Sequence, residues 1–356
     1  MMGVLNHLST LLLLSLLPPA LSHVVEKFSD VKDCEKFFLE GTTPNLPGIL
    51  VGGTVQDQNR YKPICQFYKD RYRFATLHDT TNRIPVFSAY TFTGKVVGRP
   101  SQSWMIEPQL EDLKKQPDMK VDNKAVTHQA VDTDYENNNK HLDRGHLFPC
   151  SHALDDAAKR STFTLTNAVP QNEKFNRGSW KTMECRVRKY LVENCKDNNN
   201  KIKAYVVTGA VPSKSNTLKN RVNIPDLMWT AYCCYNNNLK QWVAQAHWSK
   251  NVQDTNKKTL TPETLGALEG ELKNSYKVDG FQVFPKNCPR TVILSVLEDE
   301  TGRNLEGVEE VEPGKKRGRE GSGEGSGEGS NKMARTSGEL KECDDEDGCD
   351  CDCDEK

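Results

Sequence analysis

The sequence predicts an α+β fold, because strand-like apolar runs lie on both sides of one segment with helical periodicity. The runs are RIPVFSAYTF, KAYVVTGAV and LMWTAYCCYNNNLKQWVAQAHW, the last read as a hairpin turning at its asparagines. The helix is read in EKFNRGSWKTMECRVRKYLVENC, where Met183, Val187, Tyr190 and Leu191 recur at i, i+4, i+7 and i+8. FQVFPKNC is expected to form a closing strand, and TVILSVL a final strand or short helix.

The chain opens MMGVLNHLSTLLLLSLLPPALSHVV, a leucine-rich run broken by Pro18 and Pro19 and followed by Ala20, Leu21 and Ser22. That is the pattern of a secretory leader cleaved after about Ser22. Residues 1–22 are therefore expected to be a signal peptide, and the mature protein to be secreted and extracellular. No later stretch approaches the roughly 20 consecutive apolar residues of a membrane helix. Cysteine usage agrees with an oxidising compartment: of twelve, eight (Cys34, Cys65, Cys150, Cys185, Cys195, Cys233, Cys234 and Cys288) lie in the body, a number compatible with four bridges. Residues 23–297 are long enough for one large domain. Beyond Glu298, KKRGREGSGEGSGEGSNKMAR offers almost nothing to bury, so 298–356 is expected to be a disordered linker with an acidic, cysteine-rich tail.

The overall charge of -1 conceals an asymmetry. From Glu298 onward there are 20 acidic and 9 basic residues, which leaves 29 acidic and 39 basic before it. A basic body with an acidic tail suggests a surface that binds polyanions, although a lysine-rich surface more often serves solubility alone.

The chemistry concentrates in HLDRGHLFPCSH, residues 141–152. His141, His146 and His152 are spaced by five and six, which fits neither the helical pair of a zincin nor a finger, so a zinc site is a poor reading. There is no G-x-S-x-G elbow and no P-loop. A phosphodiester hydrolase needs a neutral imidazole, a cation and arginines around phosphorus, and each has a candidate here. His146, between Gly145 and Pro149, is placed where a strand would end and leave its side chain exposed to a cleft, as a base for neutral pH. Downstream, TNAVPQNEKFNRGSWKTMECRVR carries Asn167, Gln171, Asn176, Glu184 and Arg188. On a helical wheel Asn176 projects in line with Met183 and Val187, while Glu184 and Arg188 share an adjoining strip. A hydrated magnesium ion would suit an amide on the buried side of a helix; a helix cap at FNRGSW would suit it equally, and the residues alone do not choose.

DRGH at 143–146, followed by LFP and then by N-x-x-P-Q-x(4)-N-x-G-x-W-x(3)-E, resembles the DNA/RNA non-specific endonuclease family over about residues 60–290. The resemblance implies a ββα-metal (His-Me finger) fold, a mixed or antiparallel sheet with a central long helix. It also implies a Mg²⁺-dependent endonuclease, with Mn²⁺ as the alternative ion, that cuts DNA, and RNA as a second substrate, leaving 5′-phosphates. His146 is then the general base, Asn176 the direct metal ligand, and Glu184 a holder of the metal's waters. Arg144 and Arg188 contact phosphate, Arg99 of VVGRPSQSW matches an upstream arginine, and Asn167 orients the catalytic loop. Asp143 is read as structural. One departure is Phe148, where a small residue is usual, which is expected to narrow the approach to the base. A binding module that retains the fold without catalysis is the rival reading.

Overall fold

The computed structural model describes residues 23–121, 126–254, 259–298 and 304–310. The expected leader and all but Glu298 and residues 304–310 of the expected tail lie outside the described residues. The principal strands are β1 (Tyr61–Phe67), β2 (Tyr72–Asp79), β3 (Ile84–Phe92), β4 (Leu142–His146), β5 (Ala168–Asn172), β6 (Ala204–Val211), β7 (Leu227–Asn236), β8 (Gln241–Lys250), β9 (Val292–Glu298) and β10 (Asn304–Glu310). The longer helices are α1 (Asp156–Ser161), α2 (Lys181–Asn194) and α3 (Leu265–Tyr276). Among the described residues no helix is long and apolar enough to cross a membrane.

Six strands form one antiparallel sheet in the order β8-β7-β6-β3-β2-β1. It is buried on both faces, which explains why LMWTAYCCY reads as a continuous apolar run rather than an alternation. In β7, Met228, Tyr232 and Cys234 enter one core with Met183, Val187 and Leu191 of α2. Leu227, Trp229, Ala231 and Cys233 enter the other, with Leu265, Leu268 and Leu272 of α3. The two-residue period of a strand sends the adjacent cysteines to opposite faces, so they take different partners: Cys234 joins Cys195, Cys233 joins Cys288, and Cys34 joins Cys65.

The expected strands at 84–92, 204–211 and 227–250 are present, and TVILSVL is a strand, paired with β10. FQVFPKNC is not a strand. It runs as turns with a single bridge, Asn45 to Gln282, and Arg290 takes the carbonyls of Phe284, Pro285 and Cys288 that a neighbouring strand would need.

Outside the main sheet, β4 and β5 make a separate antiparallel ribbon, with His146 opposite Ala168 and Asp143 opposite Gln171. The chain then turns straight into helix. Asn172 caps the first turn, its side chain accepting from Phe175 N at 3.3 Å. Asn176–Trp180 forms a π turn around Gly178 before α2 begins. This is the ββα order that the resemblance implies.

Candidate active site

His146 ends β4, and alternation along the ribbon puts it on the same face as Arg144, with Asp143 and Gly145 on the other. Its imidazole is half-buried between two rings, 4.8 Å from that of Trp104 and 4.9 Å, edge-on, from that of Phe163. Arg99 lies over the Phe163 ring of this wall, its guanidinium 4.9 Å from the ring centroid. Burial, and then the nearby Arg99 charge, pushes the His146 pKa down to about 3. The ring is therefore neutral at physiological pH. Its Nε2 is shut from solvent and has no hydrogen-bond partner among the described residues. The side chain is thus less open than its expected exposure to a cleft.

Gly145 has a specific reason to be glycine. A Cβ there would stand 2.1 Å from Gln171 Oε1 and 2.6 Å from Gln171 Cβ, so the side chain of Gln171, diagonal to it in the ribbon, lies over the glycine. Gln171 is fully buried, and neither of its amide atoms has a partner among the described residues. Buried polar groups of this kind are rare and mark places completed by water or ligand.

Asn167 braces the loop after the base. Its Oδ1 accepts from Ser88 Oγ at 2.8 Å and Phe148 N at 3.0 Å. Its Nδ2 donates to Phe148 O at 3.0 Å and Thr162 O at 2.9 Å. Phe148, held at both backbone groups, turns its ring into the core. The ring stacks on Tyr90 at 4.0 Å and meets Phe74 edge-on at 5.2 Å. The expectation that Phe148 narrows the approach to His146 is therefore corrected: the rings beside the base are Trp104 and Phe163.

Arg144 forms an ion pair with Asp132 at 2.7 Å, and its guanidinium lies near the Trp104 and Tyr135 rings. Asn176 is half-buried and donates from Nδ2 to Asp143 Oδ2 at 3.0 Å, while Arg177 holds both oxygens of the same carboxylate. The helical phase read from the sequence does not carry back through the π turn. Met183 and Val187 enter the core, whereas Asn176 faces Asp143 of β4. Asn176 is also not the cap, which is Asn172. Glu184 accepts from Trp180 Nε1 at 2.8 Å, and Arg188, one turn on, donates to Ser151 O at 3.4 Å.

The three histidines go to separate places. His141 is 82 % exposed at its side chain. His152 is buried, with Nδ1 2.8 Å from Tyr90 Oη and Nε2 3.0 Å from Glu184 O. It fastens the post-base loop to α2. The contacts thus form two groups. His146, Arg99 and Arg144 gather around Trp104 and Phe163, while Asn176 attaches through Asp143; Glu184 and Arg188 sit on α2 against residues 151 and 152. Sequence reasoning gave no role to Trp104, Phe163 or Asp132, and only a structural one to Asp143. For Asp143 a signal existed, since it lies beside the motif arginine; Trp104 is some forty positions away and carries none.

Residues 55–279 match the DNA/RNA non-specific endonuclease family. Among curated relatives, the human endonuclease domain-containing 1 protein is 31 % identical over 219 residues, covering 59 % of this chain and 40 % of that protein. The mouse protein of the same name is 30 % identical over 210 residues, covering 57 % and 38 %. The chain therefore spans about two fifths of the length of these relatives. A chain of the solved EndoG/EndoGI complex, from work on the mechanism of EndoG inhibition, aligns with a TM-score of 0.42 at 20 % identity, covering 62 % of this chain and 87 % of that one. With more than half of its length matched, and with DRGH ending one strand of a ribbon that leads into α2, the chain belongs to the DNA/RNA non-specific endonuclease family.

Proposed function

We propose that this protein is a secreted, Mg²⁺-dependent endonuclease that hydrolyses phosphodiester bonds of DNA, and of RNA as a second substrate, with little sequence preference. The observation that carries the reading is His146: a neutral imidazole at the end of the DRGH strand, with an unsatisfied buried nitrogen and Arg99 close by. A ring nitrogen of His146 takes the proton of the attacking water. A base with so low a pKa is weak in the free protein. The negative charge of an arriving phosphodiester favours the imidazolium and raises its basicity when it is needed. Arg99 and Arg144 face the same ring cluster and neutralise charge on the phosphate, Arg144 by exchanging Asp132 for a phosphate oxygen. Arg188 extends this role from α2.

The residues fit a divalent cation. Because Asn176 donates its amide nitrogen to Asp143, its carbonyl oxygen is left as the hard oxygen donor such an ion takes. Asn176 would hold the ion, with Mn²⁺ as an alternative to Mg²⁺, and Glu184 would hold waters around it. Bound there, the cation supplies Lewis-acid stabilisation of charge on the phosphate oxygens. Phosphate contacts dominate such binding, so affinity falls with salt and base readout is not needed.

Plasmid nicking by the purified mature protein tests the reading, with Mg²⁺, with EDTA, and with His146→Ala alongside. Metal-dependent nicking that the substitution abolishes is expected. A folded, oxidised wild type that does not nick overturns it and leaves a nucleic-acid or protein-binding module.

A further inference from the structure

A second basic feature adjoins the ring wall of the site. The segment from Val96 to Ser101 lies over α1, and a cleft of about 380 Å³ opens between them, within the range of small-ligand sites. Two cations of α1 pin the segment from below. Lys159 Nζ donates to Gly98 O, and Arg160 Nη1 donates to Ser101 O at 2.8 Å. Three cationic side chains line the cleft, Arg99, Lys159 and Arg160, against one carboxylate, Asp156.

Asp156 holds Arg160 Nε at 2.7 Å, but the carboxylate side chain is 66 % exposed. Exposed pairs of this kind contribute little, so a phosphate, which guanidinium binds bidentately, can displace it. The lip of the same cleft is apolar: Val96 is 49 % and Val97 67 % exposed. The combination of a cationic floor and an apolar lip suits a nucleotide, with its anionic backbone and flat base. Arg99 belongs both to the cleft and to the Phe163 wall beside His146, so the cleft is continuous with the site.

We propose that this cleft is a subsite for the nucleotide next to the scissile phosphate, with Arg160 gripping its flanking phosphodiester and Val96 and Val97 carrying its base or sugar. The inference rests on the nuclease reading. It gives the protein a grip on polymeric substrate that a single-nucleotide diester does not use.

Two measurements test it. The first is fluorescence-anisotropy titration of a labelled 12-mer duplex in EDTA, at several salt concentrations, with wild type, Arg160→Gln and Val97→Ser. Glutamine removes the charge, and Lys159, donating to Gly98 O, still pins the segment. Arg160→Gln is expected to raise Kd about tenfold and to flatten the slope of log K against log salt by about 0.9, one phosphate contact. Val97→Ser is expected to raise Kd about threefold with the slope unchanged. The second measurement compares kcat/KM on plasmid with that on a p-nitrophenyl diester of a single nucleotide; Arg160→Gln should lower only the former. Unchanged binding and slope overturn the subsite, and so does an equal loss on both substrates. A wild type that cleaves neither substrate sinks the nuclease reading instead, while the anisotropy result still decides whether Arg160 grips phosphate.

Discussion

Acidification should unfold this protein well above the range in which carboxylates titrate. Three buried histidines carry the effect: His78 Nε2 donates to His128 O at 2.9 Å, His152 sits between Tyr90 and Glu184 O, and His247 Nδ1 donates to Thr261 O at 3.0 Å. Burial pushes their pKa values down to about 4, about 3 and about 4, respectively. From an unfolded value near 6.5, the unfolded chain binds more protons than the native one as pH falls. The stability is fully present above about pH 6.5 and is lost as pH drops toward the folded values. Between pH 7 and 5 each group forfeits about 1.9 kcal/mol, close to 6 kcal/mol for three, and His146, also lowered to about 3, adds a loss of the same sign. That rivals the whole stability of an ordinary domain, about 5–15 kcal/mol. Glu263 and Glu269, whose carboxyl pKa values burial raises, work in the opposite sense and restore part of the loss at the acid end of this window. The assay is urea unfolding followed by tryptophan fluorescence at pH 7, 6 and 5. His247→Gln should remove about 1.9 kcal/mol of the change between pH 7 and 5, one group's share. A wild-type change below about 1.5 kcal/mol between pH 7 and 5 would refute the reasoning. His146, neutral throughout this range, means that an acid limb in nicking activity near pH 5 reports unfolding and not titration of the base.

Three substitutions probe the ribbon. Asn167→Ala removes four buried side-chain hydrogen bonds and strands their partners; a loss of about 3–5 kcal/mol is expected, and a denaturant midpoint shift worth under 1 kcal/mol would contradict the bracing role. Gly145→Ala drives a methyl into Gln171 Cβ, which cannot swing away as the amide can; about 1–3 kcal/mol of overpacking strain should appear in calorimetry as a Tm lower by several degrees. Asp143→Ala releases the Asn176 amide, so half-maximal nicking should need about 10-fold more Mg²⁺, as for a lost outer-shell partner; an unchanged metal requirement in a folded variant would remove Asp143 from the site.

What could be read from the sequence was local. β7 and β8 were legible because both faces are covered and a turn of asparagines separates them, and α2 because Met183, Val187 and Leu191 keep a helical period into one core. DRGH and the asparagine-bearing segment were legible because one ribbon and the turn after it carry both. The expectation at FQVFPKNC failed because Arg290, two residues beyond the stretch, folds back and claims the carbonyls of an otherwise strand-like run. The placement of Asn176 on the buried face failed because five residues in a π turn shift the phase by more than a wheel can register. Trp104 and Phe163 were not legible as walls of the site, since their contacts with His146 are set by tertiary packing and leave no spacing to read.

The ribbon that carries His146 is not a member of the main sheet, so the sheet's own ladder cannot set its position. Apolar contacts from Phe148, Phe163 and Leu165 bring it near, but hydrophobic burial has no direction and would tolerate a rotation or a slip. Direction comes from a buried chain of polar side chains that starts at Asn167. Ser88 Oγ donates to Asn167, Thr76 Oγ1 lies 3.1 Å from Ser88 Oγ, and Gln66 Nε2 reaches both Thr76 at 3.1 Å and Thr166 at 2.9 Å. Thr166 meets Thr164 at 3.2 Å, Thr164 donates to Glu107 at 3.3 Å, and Glu107 closes on His23 at 2.6 Å. Gln66, Thr76 and Ser88 stand on β1, β2 and β3, where a doubly covered sheet would ordinarily place apolar residues. A polar stripe at such positions is tolerated only when satisfied, and each satisfied bond fixes an angle as well as a distance. The sheet therefore holds the post-base loop in one orientation through hydrogen bonds that water cannot reach. Gln66 Oε1 and His23 Nδ1 are left over within that chain of bonds, as Gln171 and His146 Nε2 are in the ribbon, so it is their place in the ribbon of the DRGH strand that marks the latter two as groups for a ligand.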